Sequence, residues 1–167
     1  SPWESISDIL FQLSSIENNQ NNTNFVNILY LRIASNKVNS DMYYYSLGTK
    51  LRNIDLFNLS NIEFKKIEDN SDFFYQSKLS LIDNFFSLDQ IDNAHSELNL
   101  LLKYGFDEYT IFQSLGDTYR LKKDYENATK SYTLAIEKID DITYSDLWFL
   151  YFVRGISYEQ SGNWEKA

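Results

Sequence analysis

Cysteine is absent from the 167-residue chain, which excludes a disulfide framework and any thiolate metal site. Proline occurs once, at Pro2, and glycine only five times. That scarcity argues against a turn-rich β fold and for long helices with brief connections. Histidine also occurs once, at His95. One imidazole leaves Zn2+ short of ligands, so His95 reads as a solvated or interface side chain on a helix. Basic residues are outnumbered, 15 Lys and Arg against 24 Asp and Glu, for a net charge of -9. An acidic chain repels phosphate, and Lys65-Lys66 and Lys122-Lys123 are isolated pairs, so nucleic acid and anionic membrane are disfavoured partners. No apolar run approaches the roughly 18 residues a membrane helix needs. Ser1-Pro2-Trp3-Glu4 shows no basic region leading into an apolar stretch, so no signal peptide is expected here. Cytoplasm and periplasm or envelope both remain compatible with the composition.

What the chain does have is apolar and aromatic mass, 43 % and 17 % of its residues, enough to bury a sizeable core. Much of it recurs at a fixed period. The clearest unit runs Ile111-Phe112-Gln113-Ser114-Leu115-Gly116-Asp117-Thr118-Tyr119, then Tyr125-Glu126-Asn127-Ala128, then Tyr132 and Ala135. These residues resemble the tetratricopeptide repeat (TPR), a helix-turn-helix unit of about 34 residues. The family's aromatic, Leu-Gly, Tyr, Ala, aromatic and Ala fall on Phe112, Leu115-Gly116, Tyr119, Ala128, Tyr132 and Ala135. Asp140 stands where the closing proline is usual.

Stepping by the same period gives further units at 75–108 and 41–74, beside the clearest one at 109–142. The first carries Leu81, Phe85, Ile91, Ala94, Leu98 and Leu101, with Lys78 and Ile82 departing from the pattern. The second carries Tyr44, Leu47-Gly48, Leu51, Phe57, Ser60, Phe64 and Ile67. A degenerate unit at 7–40 keeps Leu10, Leu13, Tyr30 and Ile33 but not Glu17 or Thr23, as suits a terminal cap. A last unit, 148–167, carries Tyr151, Gly155, Tyr158, Trp164 and Ala167. It follows about five extra residues around Asp141 to Asp146, which should lengthen a loop or extend the next helix backwards. This unit reads as truncated, a fragment of a longer array, with Tyr151, Tyr158 and Trp164 partly uncovered on a helix over 144–161. Self-association through that end is an expectation.

The expected fold is all-α, a solenoid of antiparallel helix pairs in which each apolar face is covered by its neighbours. Turns are placed at Asn53-Ile54-Asp55, Leu88-Asp89-Gln90, Lys122-Lys123-Asp124 and Ser161-Gly162-Asn163, with Asp124 a candidate helix cap. The polar run from Asn18 to Asn24 reads as a looser turn.

Chemistry is harder to find. Glu68-Asp69-Asn70-Ser71-Asp72 lacks the glycine and glutamate of a calcium loop, since Phe74 and Ser80 stand there, and reads as a solvated turn. Asp140-Asp141 and Asp146 similarly suggest a loop or cap. No glycine builds a phosphate-cradling motif and no serine sits in a nucleophile elbow, so neither cofactor nor catalytic residue is expected. The N-x-S/T triplets at Asn21, Asn58 and Asn127 are what an Asn-rich chain produces by chance.

The TPR resemblance implies a right-handed superhelix whose first helices line a concave groove. The family's groove positions fall on Tyr45, Thr49 and Arg52; on Gln76, Asp83 and Phe86; on Gln113, Asp117 and Arg120; and on Phe152, Ile156 and Glu159. The Lys and Asn with which some members clamp a terminal carboxylate are absent. Aromatics beside arginines suit an extended or helical protein segment instead. The implied function is a non-catalytic protein-protein interaction scaffold, similar to bacterial, alphaproteobacterial-type TPR proteins. The alternative readings are the targeting array of a larger enzyme, such as an O-linked N-acetylglucosamine transferase-like protein, or a structural repeat that self-assembles.

Overall fold

The computed structural model describes residues 2–14, 21–38, 40–139 and 144–167. Among them are nine α-helices and no strand. The chain divides into two compact units, 1–88 and 89–167.

The first unit holds α1 (Pro2–Ser14), α2 (Asn21–Lys37), α3 (Asp41–Arg52), α4 (Phe57–Phe64) and α5 (Phe74–Ser87). Each packs on the next in chain order, as helical hairpins with short turns do. Leu31 of α2 meets Leu47 and Leu51 of α3, with Phe11 and Ile28 packed against them. Tyr43 is buried beneath Phe11, ring centroids 5.6 Å apart, and its hydroxyl donates to Asp8 at 2.8 Å.

The buried stripe of α2 is Asn27, Leu31, Ala34 and Ser35. Tyr30 is only half-buried and Ile33 is 40 % exposed, so the apolar places expected there are one residue out. Asn27, Leu31 and Ala34 precede Ser60, Phe64 and Ile67 by 33 residues, one short of the period, which turns α2 by a residue's angle. Leu10 is half-buried, while the Leu13 side chain lies outside the described residues. The polar run expected as a turn is corrected as well. Asn21 to Asn24 fall within α2, and Asn18 to Gln20 lie outside the described residues.

α4 is inverted relative to a simple amphipathic helix. Its buried side is Ser60, Asn61, Glu63 and Phe64, while Leu59 and Ile62 are about half exposed. The inward polar groups are held by hydrogen bonds, as burial demands. Ser60 Oγ donates to the Gly48 carbonyl at 2.8 Å. Asn84 Nδ2 reaches Ser60 Oγ at 2.9 Å and Asn61 Oδ1 at 2.8 Å. Glu63 pairs with Arg32 and, at 2.7 Å, with Lys66.

The second unit holds α6 (Ile91–Lys103), α7 (Tyr109–Leu121), α8 (Tyr125–Glu137) and α9 (Tyr144–Gln160). Ala128, Tyr132 and Ala135 of α8 are wholly buried with Leu150 and Val153 of α9, and Tyr109, Phe112 and Tyr119 of α7 pack against them. The extra residues before the last unit extend α9 to Tyr144, so Asp146 is helical, while Asp140 and Asp141 lie outside the described residues.

Helix ends repeat too. After α3, α7 and α9 the chain closes with paired backbone bonds of the Schellman type, for example Asp124 N to Tyr119 O at 2.9 Å and Lys123 N to Arg120 O at 3.0 Å. Asp55, Asp89 and Lys123, at 34-residue steps, sit at φ of 60°, 55° and 61°, and Gly162 at 79°. Asp124 then caps α8, its carboxylate accepting from Asn127 N at 3.3 Å.

Candidate interaction face

Two glycines set how closely the helix pairs approach. A Cβ added at Gly48 would lie 2.6 Å from the Phe64 ring, and one at Gly116 would lie 2.5 Å from the Tyr132 ring. Each ring follows its glycine by 16 residues, so the small residue of the first helix receives the aromatic of the second. That face of α3 and of α7 is therefore committed to packing against α4 and α8.

None of the twelve expected groove residues is buried. In the first unit, Arg52 Nη2 of α3 pairs with Asp83 of α5 at 2.8 Å, both partly open to solvent. Gln76 is exposed and Phe86 half-buried. Tyr45 stacks on Phe73, centroids 5.2 Å apart, and tilts against Phe64, so it packs as well as presents. Thr49 Oγ1 donates to the Tyr45 carbonyl at 2.9 Å.

In the second unit, Asp117 and Arg120 converge on one hydroxyl. Tyr132 Oη donates to Asp117 at 2.7 Å and accepts from Arg120 Nε at 3.2 Å. Burial, reinforced by the Asp117 charge, pushes that phenol up, while Arg120 opposes. Gln113 is half-buried. On α9, Phe152 is 50 % exposed and stacks on Trp148, centroids 5.2 Å apart, with Ile156 and Glu159 further along the helix.

His95 lies at the α6–α7 interface. Its Nδ1 is 2.8 Å from the Thr118 hydroxyl and its ring meets Tyr119 edge-on at 4.8 Å. Burial, with Lys122 adding to it, pulls its pKa down. Among the described residues no group of three or more metal-binding side chains converges, and no helix is long and apolar enough to cross a membrane.

No protein-family profile and no curated sequence matches the chain. Solved structures do. The chain is similar to a MamA crystal structure at a TM-score of 0.78 and 16 % identity, covering 97 % of this chain and 86 % of that one. MamA from Desulfovibrio magneticus RS-1 superposes at 0.69, with 12 % identity over 98 % and 86 %. YrrB, described as a TPR protein with an unusual peptide-binding site, superposes at 0.70, with 13 % identity over 99 % and 79 %. The fold is the TPR-type α-solenoid.

In TPR terms α3, α5, α7 and α9 are first helices, and the twelve residues above belong to them. The outward apolar face of α4, Leu56, Leu59 and Ile62, belongs to a second helix and went unmarked in the sequence. Leu56, Leu59 and Ile62 share one helical stripe, a signal that by itself reads as core.

Proposed function

We propose that this chain is a non-catalytic interaction scaffold that binds a peptide or protein segment on the groove face of its TPR first helices. The observation that carries this is that none of the twelve groove positions is buried and that Gln76, Asp83, Phe152 and Glu159 among them are exposed. Those positions mix a solvent-open Arg52–Asp83 pair with aromatics. Such a face offers charge-assisted bonds and stacking to an extended or helical segment. The net charge of -9 favours a partner with a basic element over nucleic acid. The YrrB description lends the peptide-binding class to the proposal.

The test is affinity capture with the immobilised chain beside an Arg52→Ala, Asp83→Ala, Phe152→Ala variant. These residues make few packing contacts that a fold requires, so circular dichroism and melting should match the parent. A partner retained by the parent and lost by the variant supports the groove. Equal retention moves binding to another face and sinks the assignment.

A further inference from the structure

α4 shows to solvent what its sister helices keep polar. Leu59 is 49 % exposed and Ile62 52 %, with Leu56 at the start of the helix 44 %. The same places 34 residues on, in α6, hold Asn93 and Ser96; 68 residues on, in α8, they hold Asn127 and Lys130. The repeat therefore does not require apolar side chains there. α4 is an interior helix, packed on α3 before it and α5 after it, so its open side is not an end of the array. The two ends of the stripe carry opposite charge. Asp55 is exposed in the turn before the helix, and Lys65 and Lys66 are exposed just after it. Lys66 is held by Glu63, and the Lys65 ammonium lies over the Phe85 ring, 5.4 Å from its centroid. Asp55 and Lys65 make no ion pair among the described residues.

We propose that α4 docks on α4 of a second copy of this chain, antiparallel, about a two-fold axis between Leu59 and Ile62. Leu59 of each copy then meets Ile62 of the other, and Asp55 of each faces the other's Lys65, so one patch serves both sides. A stripe that is acidic at one end, apolar in the middle and basic at the other complements itself when reversed. Parallel pairing would set aspartate on aspartate and lysine on lysine, and like charges facing each other suppress that arrangement. The chain thus supplies the complement of both ends at the spacing its own stripe needs. Two turns of helix make an interface smaller than stable complexes use, so the dimer should dissociate at about 0.1 mM. Unfolding measured at micromolar concentration then reads the monomer. None of these residues belongs to the proposed groove or to α9, so the pairing stands or falls apart from both.

Sedimentation equilibrium of the whole chain from about 10 μM to about 1 mM tests this. Ile62→Gln should weaken the dimer by about tenfold. Asp55→Lys and Lys65→Glu should each weaken it at least as much, because each sets like charges against one another at both ends. The turn accepts lysine, since Lys123 occupies the matching place at φ 61°. The decisive sample is the two charge variants mixed one to one. The first brings two free cations and the second two free carboxylates to the facing ends, so a mixed dimer should form about as tightly as the parent's. That recovery also shows that both variants are folded. A mixture associating no more tightly than either variant alone would overturn the antiparallel pairing. A dimer indifferent to Ile62→Gln would overturn the proposal by moving the contact to another face. A parent that stays monomeric to about 1 mM would overturn it as well and leave the stripe to a different polypeptide.

Discussion

The Tyr132 ring lies against Gly116 so closely that a Cβ there would stand 2.5 Å from Cε1. The ring has nowhere to go: it is wholly buried and its hydroxyl is held by Asp117 and Arg120. Gly116→Ala therefore sets two effects against each other. Helix propensity favours alanine by about 1 kcal/mol, while overpacking a filled site costs about 1–3 kcal/mol. Overpacking should win, leaving the variant less stable by about 1 kcal/mol in urea denaturation. A variant more stable than the parent would show that the α7–α8 spacing is soft.

The period made this pairing legible, because Gly116 and Tyr132 sit at TPR places and a small residue beside an aromatic has one obvious reading. α4 was less legible. Its inward Ser60, Asn61 and Glu63 are satisfied by Asn84, Arg32 and Lys66, and the Asn84 and Arg32 partners lie more than twenty residues away, which local periodicity cannot register. The groove positions were legible as places on helices, but not their partners. Tyr45 on Phe73 and Asp117 on Tyr132 depend on side-chain rotamers and the approach of neighbouring helices. The turns at Asp55, Asp89 and Lys123 were legible as turns, but not their left-handed backbone, because none of the three is glycine. Their 34-residue recurrence was the available clue.

Lys123 is the costliest of those three turn residues. A lysine in the left-handed region carries steric strain of about 1–2 kcal/mol, which aspartate partly relieves through local hydrogen bonds. Its side chain is exposed. Lys123→Gly should stabilise the chain by about 0.5–1 kcal/mol after glycine's greater unfolded-state freedom is subtracted. The chemical denaturation midpoint checks this, and an unchanged or lower midpoint refutes it.

The exposed apolar stripe of α4 should tolerate polar replacement. Leu59 is 49 % exposed and Ile62 52 %. Leu59→Gln and Ile62→Gln should each change stability by no more than about 0.5 kcal/mol, since little buried area is lost. A loss above about 2 kcal/mol in thermal denaturation would mean these side chains are covered in solution.

Two tyrosines give the chain an alkaline limit. Burial, then the Asp8 hydrogen bond and charge, pushes Tyr43 up to about 12 from an ordinary 10.0. Burial and Asp117 push Tyr132 up as well. A folded value above the unfolded one stabilises fully below the unfolded pKa and is lost as pH rises through the folded value. Stability should therefore hold at neutral pH and fall between pH 10 and 12. Tyr43→Phe and Tyr132→Phe should each cost about 1 kcal/mol at pH 8 and make the alkaline decline shallower. Parallel declines in parent and variants would exclude both phenols as its cause.

Glu63 brings a carboxylate into the first unit at 2 % exposure, with Arg32 at 49 % and Lys66 at 36 % beside it. Either cation alone can partly neutralise the charge while its partner is absent. Arg32→Ala or Lys66→Ala should thus cost little, about 0.5–1 kcal/mol each, as half-exposed pairs do. Together they leave a buried carboxylate without either of these cations, and the double variant should lose about 1–2 kcal/mol beyond additivity. Adding Glu63→Gln to the double variant should recover most of that excess, because an amide needs no counter-charge. A double-mutant cycle by urea denaturation measures the coupling. Strict additivity would mean that water carries the Glu63 charge without help from Arg32 and Lys66.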